Sequence, residues 1–184
     1  MIRDQFSICV FCGARPGNDP AYLNAARDFG QAIADEGWRL VYGSGDKGVM
    51  GEVASTVRNA GGKVLGVIPT HLLGYESNGA PIGDRVITET MHERKKVMFL
   101  NSDAVVLLPG GAGSLEEFFE GLTWSQLGIH EKPIFVLNVN GYWTPLLALI
   151  DHLISEGFAD PNLKDMFSVA STVPELIKGL GKLA

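Results

Sequence analysis

Ala104-Val105-Val106-Leu107-Leu108-Pro109-Gly110-Gly111-Ala112-Gly113-Ser114-Leu115-Glu116-Glu117 is the stretch that decides the fold. The apolar run from Ala104 to Leu108 reads as a strand buried on both faces. Pro109 stops it, the glycines allow a tight turn, and a helix opens at Ser114. A buried strand, a glycine turn and a helix in succession form half of a parallel β-α-β unit. The same residues carry chemistry. Successive glycine N–H groups make a nest for an anion, and Ser114 offers a hydroxyl to a phosphate oxygen. A structural reading competes, because Ser114-x-x-Glu117 also matches a capping box.

Working outward, the alternation repeats along the chain. Strands are expected at Phe6 to Phe11, Trp38 to Tyr42, Lys63 to Ile68, Arg85 to Thr88, Pro133 to Leu137 and Phe167 to Val169. Helical spacing fills the intervals. Asp19-Pro20 caps a helix with Tyr22, Leu23, Ala26, Phe29 and Ile33 inward, ended by Gly37. Further helices are expected over Glu52 to Asn59 and Met91 to Asn101. Another runs from Thr144 to Glu156, with Leu146, Leu149, Ile150 and Leu153 inward, and a last one follows Thr172. The expected fold is α/β: a Rossmann-like, doubly wound parallel sheet with helices on both faces, one domain over residues 1–184. The irregular segment Thr70 to Asp84 is long for a connection and reads as a functional loop.

Ligands of such sheets bind at the carboxyl ends of strands, so the loops there carry the most weight. They are Gly13 to Asn18, Gly43 to Gly51 and Pro109 to Ser114. Their glycines, Gly13, Gly43, Gly45, Gly48, Gly110, Gly111 and Gly113, are the expected points of close approach to a substrate. Gly43-Ser44-Gly45-Asp46-Lys47-Gly48 matches G-x-G-x-x-G, but the next strand ends Gly66-Val67-Ile68-Pro69-Thr70 without the acid that a dinucleotide ribose requires. No Gly-Lys-Ser/Thr closes the loop as in a P-loop.

Composition narrows the function classes. The net charge of -6 argues against nonspecific binding to nucleic acid or to an anionic membrane. The apolar run after Arg3 breaks too soon for a signal peptide, so a cytoplasmic location is expected. Cys9 and Cys12 form C-x-x-C within a strand, where residues three apart face opposite sides, so they read as core. His92-Glu93-Arg94-Lys95-Lys96 puts positive charge at a helix start, against the dipole, which hints at a ligand. Arg94 suits bidentate recognition of phosphate or carboxylate.

Together these motifs resemble the LOG (Lonely Guy) family. Met91-His92-Glu93-Arg94-Lys95 is similar to its M-H-x-R-K, and Pro109 to Glu117 to its P-G-G-x-G-T-x-x-E. Thr123-Trp124-Ser125-Gln126-Leu127-Gly128-Ile129-His130 is similar to T-W-x-Q-L-G-I-H, and Val10-Phe11-Cys12-Gly13 to V-F-C-G. Asn138 to Tyr142 is similar to its L-N-x-x-G-Y. The family comprises cytokinin riboside 5′-monophosphate phosphoribohydrolases, long labelled lysine decarboxylases. The resemblance implies hydrolysis of a nucleoside 5′-monophosphate, AMP or a cytokinin nucleotide, to free base and ribose 5-phosphate. It implies no metal and no organic cofactor, and a homodimer. It implies Arg94 and Glu117 as the catalytic pair, with Lys95, Gly110 to Ser114, Thr123 and Glu76 contacting substrate. Ser114 departs from the usual Thr, Ala112 from a larger residue, and Ala14-Arg15 from a small-hydroxyl pair.

A carboxylate beside the ribose would stabilise oxocarbenium character or activate water, the work expected of Glu117. Two rivals remain. A lysine decarboxylase would need an anchoring pattern for pyridoxal phosphate, and none is evident. A non-catalytic carrier or sensor of nucleotides is compatible with the same fold.

Overall fold

Strand β1 (Ser7–Phe11) is buried along its whole length and lies at the centre of the sheet. The computed structural model describes residues 5–75 and 80–184. The other strands are β2 (Arg39–Tyr42), β3 (Lys63–Pro69), β4 (Asp84–Thr88), β5 (Ala104–Leu107), β6 (Ile134–Leu137) and β7 (Ser168–Ala170). They form one seven-stranded sheet in the order β4-β3-β2-β1-β5-β6-β7, with every pair parallel. This is the expected Rossmann-like arrangement, with β4 extending one edge.

The helices are α1 (Pro20–Asp35), α2 (Gly48–Asn59), α3 (Met91–Leu100), α4 (Ala112–Gln126), α5 (Thr144–Ser155) and α6 (Val173–Leu180). They divide between the two faces. Ile8, Val10 and Cys12 point to a core shared with Phe29 and Ile33 of α1, Val53 of α2 and Leu176 of α6. Cys9 and Phe11 point the other way, to Met98 of α3, Phe118 of α4 and Ile150 of α5. Alternate β1 residues thus serve opposite layers, as the strand period requires, and both cysteines are buried thiols outside any disulfide. Each fully buried Leu, Ile or Phe contributes roughly 1.5–3 kcal/mol, so these two layers hold the sheet.

Local signals set several boundaries. Asp19 caps α1 by accepting from the Ala21 N–H at 2.9 Å, Pro20 takes the first turn, and Gly37 leaves it at φ +69. Gly30 lets α1 approach α2, since a Cβ there would stand 2.8 Å from the Val53 carbonyl oxygen. Three readings change. Helix α2 begins at Gly48, not Glu52, because Gly48 at φ +62 turns the chain directly into it. Helix α4 begins at Ala112 with Gly111 as its cap, so Ser114 lies inside the first turn and no Ser114–Glu117 capping box forms. Leu149 is 47% exposed, because α5 turns Leu146, Leu147, Ile150 and Ile154 to the sheet.

The topology creates one position for a ligand. From β1 the chain builds outward through β2, β3 and β4, then crosses back to place β5 on the other side of β1. The loops after β1 and β5 therefore diverge from a crevice at the carboxyl end of the sheet. Two backbone bonds fix their bases: Leu108 N–H to Phe11 O at 2.9 Å and Gly13 N–H to Pro109 O at 3.0 Å.

Candidate active site

That crevice opens into a cleft of about 580 Å³. Its floor and walls come from the loop after β1, the start of α2, Met91 and Arg94 of α3, and Pro109 to Glu117. The size lies within the usual range of ligand pockets, roughly 300–1,000 Å³. Among the described residues no three His, Cys, Asp or Glu side chains gather to hold a metal ion. No helix there is long and apolar enough to cross a membrane.

Arg94 reaches this cleft while almost fully buried. Thr90 caps α3 and forms a capping box with Glu93, which sets the register that turns Arg94 inward. The guanidinium then donates from Nε to the Val67 carbonyl at 3.1 Å and from Nη2 to the Gly43 carbonyl at 2.8 Å. Two backbone acceptors, one in β3 and one just after β2, lock one edge of the fork. Gly43 is glycine for this reason, since a Cβ there would lie 2.0 Å from Nη2.

Glu117 lies in the second turn of α4, 9% exposed, and lines the same cleft. Burial holds the Cys9 thiol well above its ordinary range, and the nearby Glu117 carboxylate adds to that shift. Beside Glu117 is the start of α4. The first intrahelical bond there runs from Leu115 N–H to Gly111 O at 3.1 Å. The N–H groups of Ala112, Gly113 and Ser114 have no intrahelical acceptor and face the cleft end of the helix dipole.

The glycines of this loop divide into two kinds. A Cβ on Gly110 would meet Ser114 Oγ at 2.1 Å and Gly13 N at 2.8 Å, and one on Gly13 would meet Gly110 Cα at 3.1 Å. Those two serve the close approach of the loops. A Cβ on Gly111 or Gly113 would meet nothing within 4 Å. Internal packing does not call for glycine at either position, and both line the cleft.

Lys95 turns away from the cleft lining. Its ammonium is bound between Glu116 and Glu120 of α4, the second contact at 2.9 Å. Burial pulls it down, but the two carboxylates outweigh that and hold it above its ordinary value. Arg94 and Lys95 of this basic run are therefore met by protein carbonyls and carboxylates, which tie α3 to β3, to Gly43 after β2 and to α4.

The remaining expected residues are scattered. Gly43, Gly45 and Gly48 lie outside the lining. Gly45 N–H donates to Met50 Sδ at 3.2 Å, and Gly48 makes room for the backbone of Ala14 and Arg15. Ser44, at φ 63, is buried over Gly66 and accepts from Arg85 Nε at 3.0 Å. Thr123 is exposed on α4, six positions beyond Glu117 and so about 9 Å further along the helix. Glu76 lies outside the described residues. Sequence reasoning gave Tyr22 and Tyr142 no site role, yet both line the cleft, edge to face with centroids 5.1 Å apart. Tyr142 donates its hydroxyl to the Gly110 carbonyl. The signal available was a tyrosine beside each of two loops, with nothing local to pair them.

Comparisons with known proteins add a second line. A family model described as "Possible lysine decarboxylase" matches residues 50–180. The probable cytokinin riboside 5′-monophosphate phosphoribohydrolase LOGL1 of Oryza sativa subsp. japonica is 48% identical over 96% of this chain and 79% of its own length. The cytokinin riboside 5′-monophosphate phosphoribohydrolase LOG3 of Arabidopsis thaliana is 44% identical over 96% of this chain and 82% of its own. Among solved structures, the molybdenum cofactor binding protein of the phototrophic bacterium Rippkaea orientalis superposes with a TM-score of 0.70. It is 25% identical, covering 99% of this chain and 98% of that one. The Chlamydomonas Moco carrier protein gives 0.71 at 21% identity over 98% of each chain, which is a likeness of fold.

Proposed function

This chain belongs to the LOG family of cytokinin riboside 5′-monophosphate phosphoribohydrolases, and on that premise we propose that it hydrolyses the N-glycosidic bond of a nucleoside 5′-monophosphate. Water and nucleotide give free base and ribose 5-phosphate. AMP and cytokinin riboside 5′-monophosphates are the candidate substrates, so the activity includes that of an AMP nucleosidase. The observation that carries the reading is the convergence of Glu117, Arg94 and the start of α4 on one cleft.

In this reading the phosphate sits on the N–H groups of Ala112, Gly113 and Ser114, with the Ser114 hydroxyl as a further donor. Binding energy remote from the reacting bond then holds the ribose still. Glu117, two turns into α4, faces the sugar. Its carboxylate stabilises positive charge as the base leaves, or takes a proton from the attacking water. Arg94, fixed by the Val67 and Gly43 carbonyls, positions the carboxylate or the nucleotide. Lys95 serves the site through Glu116 and Glu120, as a strut between α3 and α4.

The same proposal takes residues 1–184 as one domain, places the protein in the cytoplasm and gives it no nucleic-acid or membrane partner. It also takes the active form as a homodimer. Leu100, Leu127 and Ile129 are each at least 60% exposed near the ends of α3 and α4, and suit burial against a second copy. Thr123, exposed on the same helix, would then meet substrate from the partner's side of the interface.

The test is incubation with AMP and isopentenyladenosine monophosphate, following base and ribose 5-phosphate by chromatography. Release that falls about 10²–10⁴-fold in Glu117→Gln, with nucleotide binding kept, supports hydrolysis. The second reading is a carrier, favoured by the fold shared with molybdenum cofactor binding proteins. It requires binding without turnover in the unmodified protein.

A further inference from the structure

The loop after β1 brings a cation to the cleft that the mechanism above does not use. Arg15 is exposed and lines the cleft. Among the described residues lining it, Arg15 and Arg94 are the cations, and Glu116 and Glu117 the acids. Arg94 is buried and holds two backbone carbonyls. Lys95, the nearest candidate on α3, is committed to Glu116 and Glu120. A phosphate dianion at the start of α4 would share the cleft with Glu117 and with Glu116, which Lys95 already pairs, and the dipole of one helix end supplies only a partial positive charge. Among the described residues, Arg15 is the cation lining the cleft whose residue is exposed, so it is the one with freedom to reach such an anion.

The backbone under Arg15 is held for that task. Val49 N–H donates to the Arg15 carbonyl at 3.4 Å and Met50 N–H to that of Gly13 at 3.0 Å. Gly48 has no Cβ, and one would stand 2.4 Å from the Arg15 nitrogen. Gly13 touches Gly110 on the other side. Tyr22 packs over Gly17 and against Tyr142, whose hydroxyl is bonded to the Gly110 carbonyl. The loop is thus clamped between α2 and the glycine-rich turn, with a long, flexible guanidinium extending from a fixed root.

We propose that Arg15 is a specificity residue for the 5′-phosphate. Its guanidinium closes on the phosphate from the loop after β1 and makes the site select phosphorylated over unphosphorylated ligands. The assignment rests on the nucleotide reading of the cleft. It is written into the side chain rather than the backbone, so it is removable without disturbing the α4 site. A bidentate fork is also distinguishable from a point charge.

The experiment pairs kinetics on AMP with calorimetric binding of ribose 5-phosphate and of ribose, for the wild type, Arg15→Ala and Arg15→Lys. Arg15→Ala is expected to raise KM for AMP about tenfold or more with kcat little changed, and to weaken ribose 5-phosphate to the same degree. Binding of ribose stays as in the wild type, and Arg15→Lys recovers part of the loss. Unchanged KM and unchanged ribose 5-phosphate affinity in Arg15→Ala overturn the assignment while leaving the hydrolase reading intact. Arg15-dependent ribose 5-phosphate binding in a protein that releases no base supports the assignment and sinks the hydrolase reading instead. A wild type that binds neither nucleotide nor ribose 5-phosphate overturns both.

Discussion

Arg94 Nη2 donates to the Gly43 carbonyl at 2.8 Å, and a Cβ on residue 43 would lie 2.0 Å from that nitrogen. The buried cation of the cleft is positioned by a missing methyl group just after β2. Gly43→Ala is therefore expected to push the guanidinium off its two carbonyls. Overpacking of this kind costs about 1–3 kcal/mol of stability. A misplacement of about 1 Å near the chemistry costs about 10²-fold in turnover. Base release measured well below the melting temperature, beside a denaturant titration, separates the two effects. Full activity in a folded but destabilised variant would show that Arg94 does not need this position.

The two kinds of glycine in the loop after β5 give opposite expectations. Gly110→Ala meets Ser114 and Gly13 and is expected to destabilise the fold. Gly111→Ala and Gly113→Ala meet nothing within 4 Å and should leave the melting temperature nearly unchanged. If a phosphate lies against those backbone atoms, both variants nonetheless raise KM. Unaltered KM in the two would mean that the anion binds elsewhere.

Lys95→Met tests the strut between α3 and α4. It leaves Glu120 with a buried oxygen and removes the cation shared with Glu116. Because both carboxylates keep some contact with water, the expected loss is about 1–3 kcal/mol rather than the larger cost of a sealed pair. The pH dependence has a definite sign. Lys95 is raised in the folded state, so its contribution is complete below its unfolded value of about 10.4 and fades as pH rises through the higher folded value. Denaturation curves of wild type and variant should converge in strongly alkaline solution. A constant gap across that range would rule out the ionic contribution.

Helix α5 offers a control on packing. Ile150 is buried against the sheet and Leu149 is 47% exposed. Ile150→Ala is expected to cost about 2–5 kcal/mol and Leu149→Ala within about 0.5 kcal/mol. Equal losses would contradict the rotation of the helix described above.

Leu149 also illustrates what the chain discloses before folding. The parallel sheet was legible because β5 and β6 are apolar throughout and β1 is so from Ile8 onward, a pattern that burial on both faces demands. The start of α4 was not, because Ser-x-x-Glu has the same letters whether Ser is the cap or sits within the first turn. The capping box that does form, Thr90 with Glu93, lay beside the basic run and was masked by it. The C-x-x-C was readable as core from strand alternation alone. The acceptors of Arg94 lie 27 and 51 positions away, distances at which no local pattern carries information. For the same reason the two tyrosines of the cleft were invisible as a pair.

The pairing of β1 with β5 has a consequence in time. Ser7 donates its N–H to Asp103, 96 residues later in the chain. During synthesis the first strand emerges early and waits, one side bare, until the fifth arrives. Closures over such separations are slow and leave an edge open to wrong partners. Both walls of the cleft depend on that pairing, so the site forms only after the chain has closed over this separation. Activity in this architecture therefore reports that the first and fifth strands have met.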